Sequence, residues 1–216
     1  MSSREWVIAK IREAFGANEY PGFLQGSSDG CEPNEETSAF EDRRDWQAIE
    51  ADFLNAHSGA LNFFSEAGFR FYLPAYLIAD LNDQLRTADL LFHLTHGFSE
   101  LEVKVPTRAA VFIRRTGKSE FINPRRYGAA TWYDRARYRL SVFPREEVSA
   151  IVAYLKFKRE YSDGSGTAQI DAALNLFWLE REETAPLAAS LKQHIAEEAE
   201  FIAATSAASQ ANSGHP

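Results

Sequence analysis

The sequence predicts a mainly α-helical, single-domain assembly, with a small β hairpin or sheet confined to residues 98–143. Three observations carry that prediction. Apolar residues recur at helical spacing near the start (Val7, Ile11, Phe15), later (Val148, Ile151, Val152, Leu155) and near the end (Leu191, Ile195, Ile202). The stretch Ala60–Leu81, ALNFFSEAGFRFYLPAYLIADL, carries six aromatic residues among its twenty-two, a density that suits the centre of a packed core. Between residues 98 and 143 the helical periodicity fades and short runs with strand character replace it.

The elements follow in order. Ser2 with Glu5 three residues on reads as a capping box, opening a helix through Trp6, Val7, Ile11 and Phe15 that Gly16 ends. Residues 16–34 are rich in Gly, Ser, Asn and Pro and read as a loop. A short helix is expected over Glu35–Asp42, and a second over Asp45–Ala56, with Trp46, Ile49 and Phe53 on one face. Ser58 and Ser65 are candidate N-caps. Pro74 lacks an N–H and disfavours the α conformation at Leu73, so the aromatic stretch should divide into helices over Glu66–Tyr72 and Pro74–Leu85. Thr87 should cap Ala88–His96, and Gly97 should stop it. Leu101–Val105 and Ala109–Arg114 are the candidate strands. Helices resume at Pro144 and run to about Tyr161; Ile170, Leu174, Phe177 and Trp178 mark the next, and Leu187 to Ile202 the last.

A chain of 216 residues suits one globular domain, here residues 1–205, followed by a polar tail at 206–216 expected to be disordered. Hydrophobic content of 45%, with 16 Phe, 8 Tyr and 4 Trp, supplies ample core. The lone Cys31 rules out an internal disulfide, which fits a reducing compartment. MSSREWVIAKIREAF lacks the apolar centre of a secretory signal, and no run approaches the roughly 20 apolar residues of a membrane span. The expected location is cytoplasmic, with no membrane partner.

The order of motifs resembles an uncharacterised bacterial family of small cytoplasmic proteins. The matching pieces are IREAF at Ile11–Phe15, the Trp46 helix and above all the FYLPAYL core at Phe71–Leu77. SVFPREEVSAIVAYLKF at Ser141–Phe157 and ALNLFWL at Ala173–Leu179 extend the likeness. The resemblance implies a bacterial cytoplasmic protein. The family has no assigned activity, so no catalytic residue carries over from it.

Motifs that would announce chemistry are few. His93 and His96 form an H-x-x-H pair on an expected helix, and Asp89 lies one turn earlier. A zinc site needs further ligands, and neither an HExxH motif nor a cysteine cluster supplies them. The neighbouring Leu90, Leu91 and Leu94 favour an ordinary packed helix, so no metal and no cofactor is expected. There is no G-x-S-x-G elbow and no phosphate-cradling glycine loop. Glu180, Glu182 and Glu183, and Glu197, Glu198 and Glu200, read as solvated helix faces.

Charge is the informative property. The net charge is −8, yet residues 104–139 hold ten basic and two acidic side chains, a local balance of +8. In this segment Arg114, Arg115, Arg125 and Arg126 alternate with aromatic residues that include Trp132 and Tyr133. Arginine with interleaved aromatics suits a protein-binding hot spot or phosphate contact with base stacking. The competing reading has these arginines pairing internally with the flanking carboxylates. Arg125 and Arg126, beside Pro124 and Gly128, are expected to be exposed, and the Arg135–Arg137–Arg139 group structural. The overall negative charge counts against nucleic acid without removing it from the alternatives.

The expected function is therefore a non-enzymatic interaction module, such as an immunity or regulatory protein, with an unidentified protein partner. Its candidate binding residues are Arg114, Arg115, Arg125, Arg126, Trp132 and Tyr133. The alternatives are an enzyme with a site near His93 and His96, and a module binding nucleic acid or a phosphate ligand through Arg114–Arg139.

Overall fold

Ser65 begins the most apolar helix, α5 (Glu66–Leu81), by accepting the Gly68 N–H on its Oγ at 3.0 Å. The computed structural model describes residues 3–26, 31–98, 102–106, 111–115, 132–161, 164, 166–186, 190–193, 195–197, 199–201 and 203–204. Thirteen of the sixteen residues of α5 are buried, Phe71, Tyr72 and Tyr76 among them. The expected division at Pro74 does not occur, because Pro74 lies inside one unbroken helix. A proline there costs about 3 kcal/mol in lost hydrogen bonding and ring clash. Burying Phe71, Tyr72, Leu73, Tyr76 and Leu77 at roughly 1.5–3 kcal/mol for each large side chain outweighs it.

Around α5 the chain builds a mainly α fold. Helix α1 (Arg4–Phe15) buries Val7, Ile11 and Phe15 against α5 and against the later helix α8 (Arg145–Tyr161). Its N-cap is Ser3, which accepts from the Trp6 N–H, rather than Ser2. Residues 23–26 run beside the start of α5: Leu24 O accepts the Ser65 N–H at 2.6 Å, and Gln25 forms a bridge with Phe64. Gly68 permits this approach, since a Cβ there would stand 3.0 Å from the Leu24 carbonyl oxygen.

Two expected boundaries shift. Helix α2 spans Cys31–Ser38, four residues earlier than predicted. The expected Asp45–Ala56 helix is broken into a 3-10 turn at Trp46–Ala48 and α3 (Ala51–Ala56), because Ile49 is extended. The break serves two burials at once: Trp46 sends its Nε1–H to Phe15 O at 3.3 Å, while Leu54 enters the core. Helix α4 (Ala60–Phe63) follows. Helix α6 (Leu90–Thr95) is capped by Asp89, whose carboxylate accepts the Phe92 N–H at 3.0 Å. Thr87 instead donates to Asn55 O at 2.9 Å.

Strands β1 (Glu102–Pro106) and β2 (Val111–Arg115) pair antiparallel, with Glu102 opposite Arg115 and Val103 opposite Arg114. Helix α7 (Trp132–Leu140) falls where sequence periodicity is weak; it is anchored by buried Tyr138 and Leu140. Helix α9 (Thr167–Ala173) runs through a π-helical turn at Leu174–Trp178 into α10 (Leu179–Thr184). The described residues of 190–204 are helical, with Leu191 buried. The 206–216 tail lies outside the described residues.

One cluster of buried apolar side chains links these helices. Its buried tyrosines keep partners for their hydroxyls: Tyr72 donates to the Phe40 and Arg43 carbonyls, and Tyr154 to Asp80 at 2.7 Å. Among the described residues no helix is long and apolar enough to cross a membrane.

Candidate functional site

The basic third is described only in part. Arg114 and Arg115 sit on the backbone of β2, but their side chains lie outside the described residues. Arg125 and Arg126 lie outside them entirely. Trp132 and Tyr133 open α7, and their side chains are likewise outside.

The last two arginines of that third are described, and they diverge. Arg139 turns inward: it donates to the Leu61 carbonyl and its guanidinium lies 4.3 Å from the Phe69 ring centre. Arg137, two residues earlier on the helix, instead lines a cavity of about 320 Å3.

That cavity lies where α7, the π turn and α10 meet. Arg137 and Ser141 come from α7 and the turn after it, Phe177 from the π turn, and Arg181 from α10. Pro186 and Leu191 complete an apolar wall, and among the described residues no acidic side chain lines it. The π turn, in which the Leu179 N–H donates to Leu174 O, adds a residue to the helix. Its side chains separate accordingly. Trp178 is buried against Phe143 and donates to Leu94 O at 2.9 Å, while Phe177 stacks on Phe98 and reaches the cavity.

Arg181 is the unusual group. Its Nη1 donates to Thr184 O at 3.1 Å and its Nη2 to Ser141 O at 3.3 Å. The remaining Nε–H is buried and meets no acceptor among the described residues. Burial, reinforced by the charge of Arg137, holds its pKa below the ordinary arginine value. Arg137 and Arg181 thus line one half-enclosed, mostly apolar space. The Ser141 hydroxyl donates to Tyr138 O at 2.8 Å, and among the described lining residues there is no histidine or carboxylate.

Nothing in the sequence singled out Arg181. It stands as a lone cation in the run Glu180–Glu183, which reads as a solvated acidic face. The π turn carries no sequence signature of its own. The basic third was legible, but the sequence reading gave Arg137 within it a structural role rather than a place among the binding candidates.

The histidine pair separates. His93 lies against Phe69, with ring centres 6.3 Å apart, while His96 follows the end of α6 and stacks on exposed Phe92 at 4.4 Å. No group of three or more His, Cys, Asp or Glu among the described residues is placed to hold a metal. Burial, with the charges of Arg139 and His96 adding to it, pushes the His93 pKa down to about 3. The unfolded chain therefore takes up a proton that the folded chain refuses. This group's contribution to stability is full above pH 6.5 and declines as pH falls towards 3. His93→Leu should flatten the acid side of the stability profile, measured as urea midpoints between pH 7.5 and 4.5. An acid slope identical to that of the parent would show that His93 is freely protonated in place.

A family model for a family of unknown function, DUF6714, matches residues 4–118. The chain belongs to DUF6714. The match holds α1 to α6 and both strands, with the IREAF and FYLPAYL segments inside it. The Ser141–Phe157 and Ala173–Leu179 segments fall beyond the part matched to DUF6714, as does the Arg137–Arg181 cavity. No curated protein and no solved structure matches the chain.

Proposed function

We propose that this DUF6714 protein is a non-enzymatic interaction module of the bacterial cytoplasm, acting as an immunity or regulatory protein. Its recognition element is the basic third together with Arg181. The observation that carries the reading is the pair Arg137 and Arg181 on one apolar cavity, which no acidic side chain lines among the described residues. It lies at the end of a +8 segment in a chain of net charge −8. A partner presenting an acidic group beside apolar surface would suit that lining. Arginine set among aromatics is also the composition of interface hot spots. The acidic remainder of the chain steers against polyanions, which disfavours nucleic acid as the partner. The bacterial and cytoplasmic assignments rest on the FYLPAYL resemblance.

The test compares two charge-neutral variants against a partner purified from native cells. One carries Gln at Arg114, Arg115, Arg125 and Arg126, and the other carries Arg137→Gln. Each should lower partner affinity more than tenfold, about 1.4 kcal/mol, with little change in melting temperature. Lower melting temperatures with unaltered affinity would instead assign the arginines to internal pairing.

A further inference from the structure

We infer that residues 39–45, which join α2 to the Trp46 turn, form a docking surface for the carboxylate side chains of an acidic protein segment, received by Arg43 and Arg44. This surface goes beyond the reading above, since it uses neither the basic third nor the Arg137–Arg181 cavity.

The backbone here is held from beneath. Tyr72 on α5 donates its hydroxyl to the Phe40 and Arg43 carbonyls at 2.8 and 3.0 Å, and Tyr20 donates to Glu41 O at 3.2 Å. The Arg43 N–H closes on Phe40 O at 2.9 Å. The Asp45 carboxylate then accepts the Gln47 N–H at 2.9 Å and starts the next turn. Little backbone freedom is left for a partner to freeze.

Both arginines are exposed, and each lies on an aromatic face. The Arg43 guanidinium stands 4.4 Å from the Phe53 ring centre, and that of Arg44 5.4 Å from the Tyr20 ring centre. Those rings rest on the core in turn, Phe53 against Phe40 at 4.9 Å and Tyr20 against Phe71 at 5.6 Å. A ring restrains a guanidinium and uses none of its five N–H donors. Among the described residues no hydrogen bond or ion pair engages either group. Restrained, solvent-facing arginines beside aromatic rings have the character of an interface hot spot.

Charge selects the occupant. A guanidinium fork fits a carboxylate or a phosphate. Glu41, Asp42 and Asp45 flank the two arginines in the run EDRRD, three acids against two bases. A dianionic phosphate meets that surplus of negative charge with twice the charge of a carboxylate. Single carboxylates, spaced along a segment so that each arginine takes one, meet it least.

The experiment records nitrogen-15 correlation spectra of the arginine Nε groups of the full chain at constant ionic strength. The probes are the end-capped peptide EGEGE, its QGQGQ counterpart and inorganic phosphate. The Arg43 and Arg44 signals, assigned through Arg43→Lys and Arg44→Lys, should shift saturably with EGEGE and stay in place with QGQGQ. Each Lys variant keeps the charge and loses the fork, so each should bind EGEGE at least threefold more weakly. Arg43→Gln combined with Arg44→Gln should weaken binding at least tenfold; both side chains are exposed, so folding is preserved. The protein carrying Gln at Arg114, Arg115, Arg125 and Arg126 should bind EGEGE as the parent does, which separates this surface from the role given to the basic third. Unmoved Arg43 and Arg44 signals, or peptide binding lost only in the basic-third variant, would overturn the inference. Phosphate binding as tightly as EGEGE would also overturn it and assign the turn to a phosphate-bearing ligand.

Discussion

Arg70→Met should destabilise the protein by about 3–5 kcal/mol above pH 7, where it leaves a buried carboxylate without its counter-ion. Arg70 joins three parts of the chain. Its Nε donates to Glu147 Oε2 at 2.8 Å, and its Nη2 donates to Glu147 Oε1 at 2.5 Å and to Asn18 Oδ1 at 2.8 Å. The Glu147 side chain is only 1% exposed. Burial pushes its pKa up to about 7, although the Arg70 guanidinium and Asn18 pull it down. The folded chain therefore holds a proton on Glu147 that the unfolded chain releases at ordinary carboxylate pH. That contribution is full below about pH 4.5 and is lost as pH rises through 7.

Removing Arg70 raises the Glu147 pKa further, so below pH 7 both proteins carry the proton and differ by a constant amount. Above pH 7 the parent ionises against Arg70, whereas the variant must keep the proton or bury a bare charge. The difference in unfolding free energy should then widen between pH 7 and 9. Urea unfolding at pH 6 and 9 measures it. Arg70→Met combined with Glu147→Leu should recover much of the loss, since an apolar pair of similar volume removes the stranded charge. A loss in Arg70→Met that narrows at high pH would contradict this account.

Trp178→Ala should cost about 3–5 kcal/mol and should also disturb the cavity. Trp178 is fully buried, packs on Phe143 and Phe177, and ties the π turn to α6 through Leu94 O. Truncation leaves a large void and removes the donor to that carbonyl. Phe177, the next residue back, lines the cavity, so the π turn's hold on it should loosen. Denaturant unfolding with an unchanged slope would assign the loss to the folded state. A cost below about 1 kcal/mol would mean that the π turn collapses to α geometry and refills the space.

The helices that bury a full stripe of apolar residues were legible in the sequence. Burial at Phe71, Tyr72 and Tyr76 and the run of α8 follow directly from spacing. Local signals were weaker guides where packing overrode them. Pro74 argued for a break, yet the apolar residues around it gain more from one continuous helix. Thr87 and Asp89 are both N-cap types; the hydrogen bond of Thr87 to Asn55 removed it from the contest. Helix α7 was hidden because its arginines dilute the apolar pattern, although Tyr138 and Leu140 are fully buried.

The candidate site was half legible. The basic segment was legible, but Arg137 was expected to be structural, and the residue that shares its cavity comes from forty-four residues later. Arg181 is surrounded in sequence by glutamates and faces the cavity only because of the fold. The histidines teach the converse. Spacing placed His93 and His96 together, whereas the end of α6 falls between them, leaving one half-buried and the other exposed.

The most direct test of the central claim follows the partner's association rate with the full chain as ionic strength rises. The account predicts a steep fall for the parent and a shallow one for the protein carrying Gln at Arg114, Arg115, Arg125 and Arg126. The same salt dependence in both proteins would contradict the account and place the recognition element elsewhere.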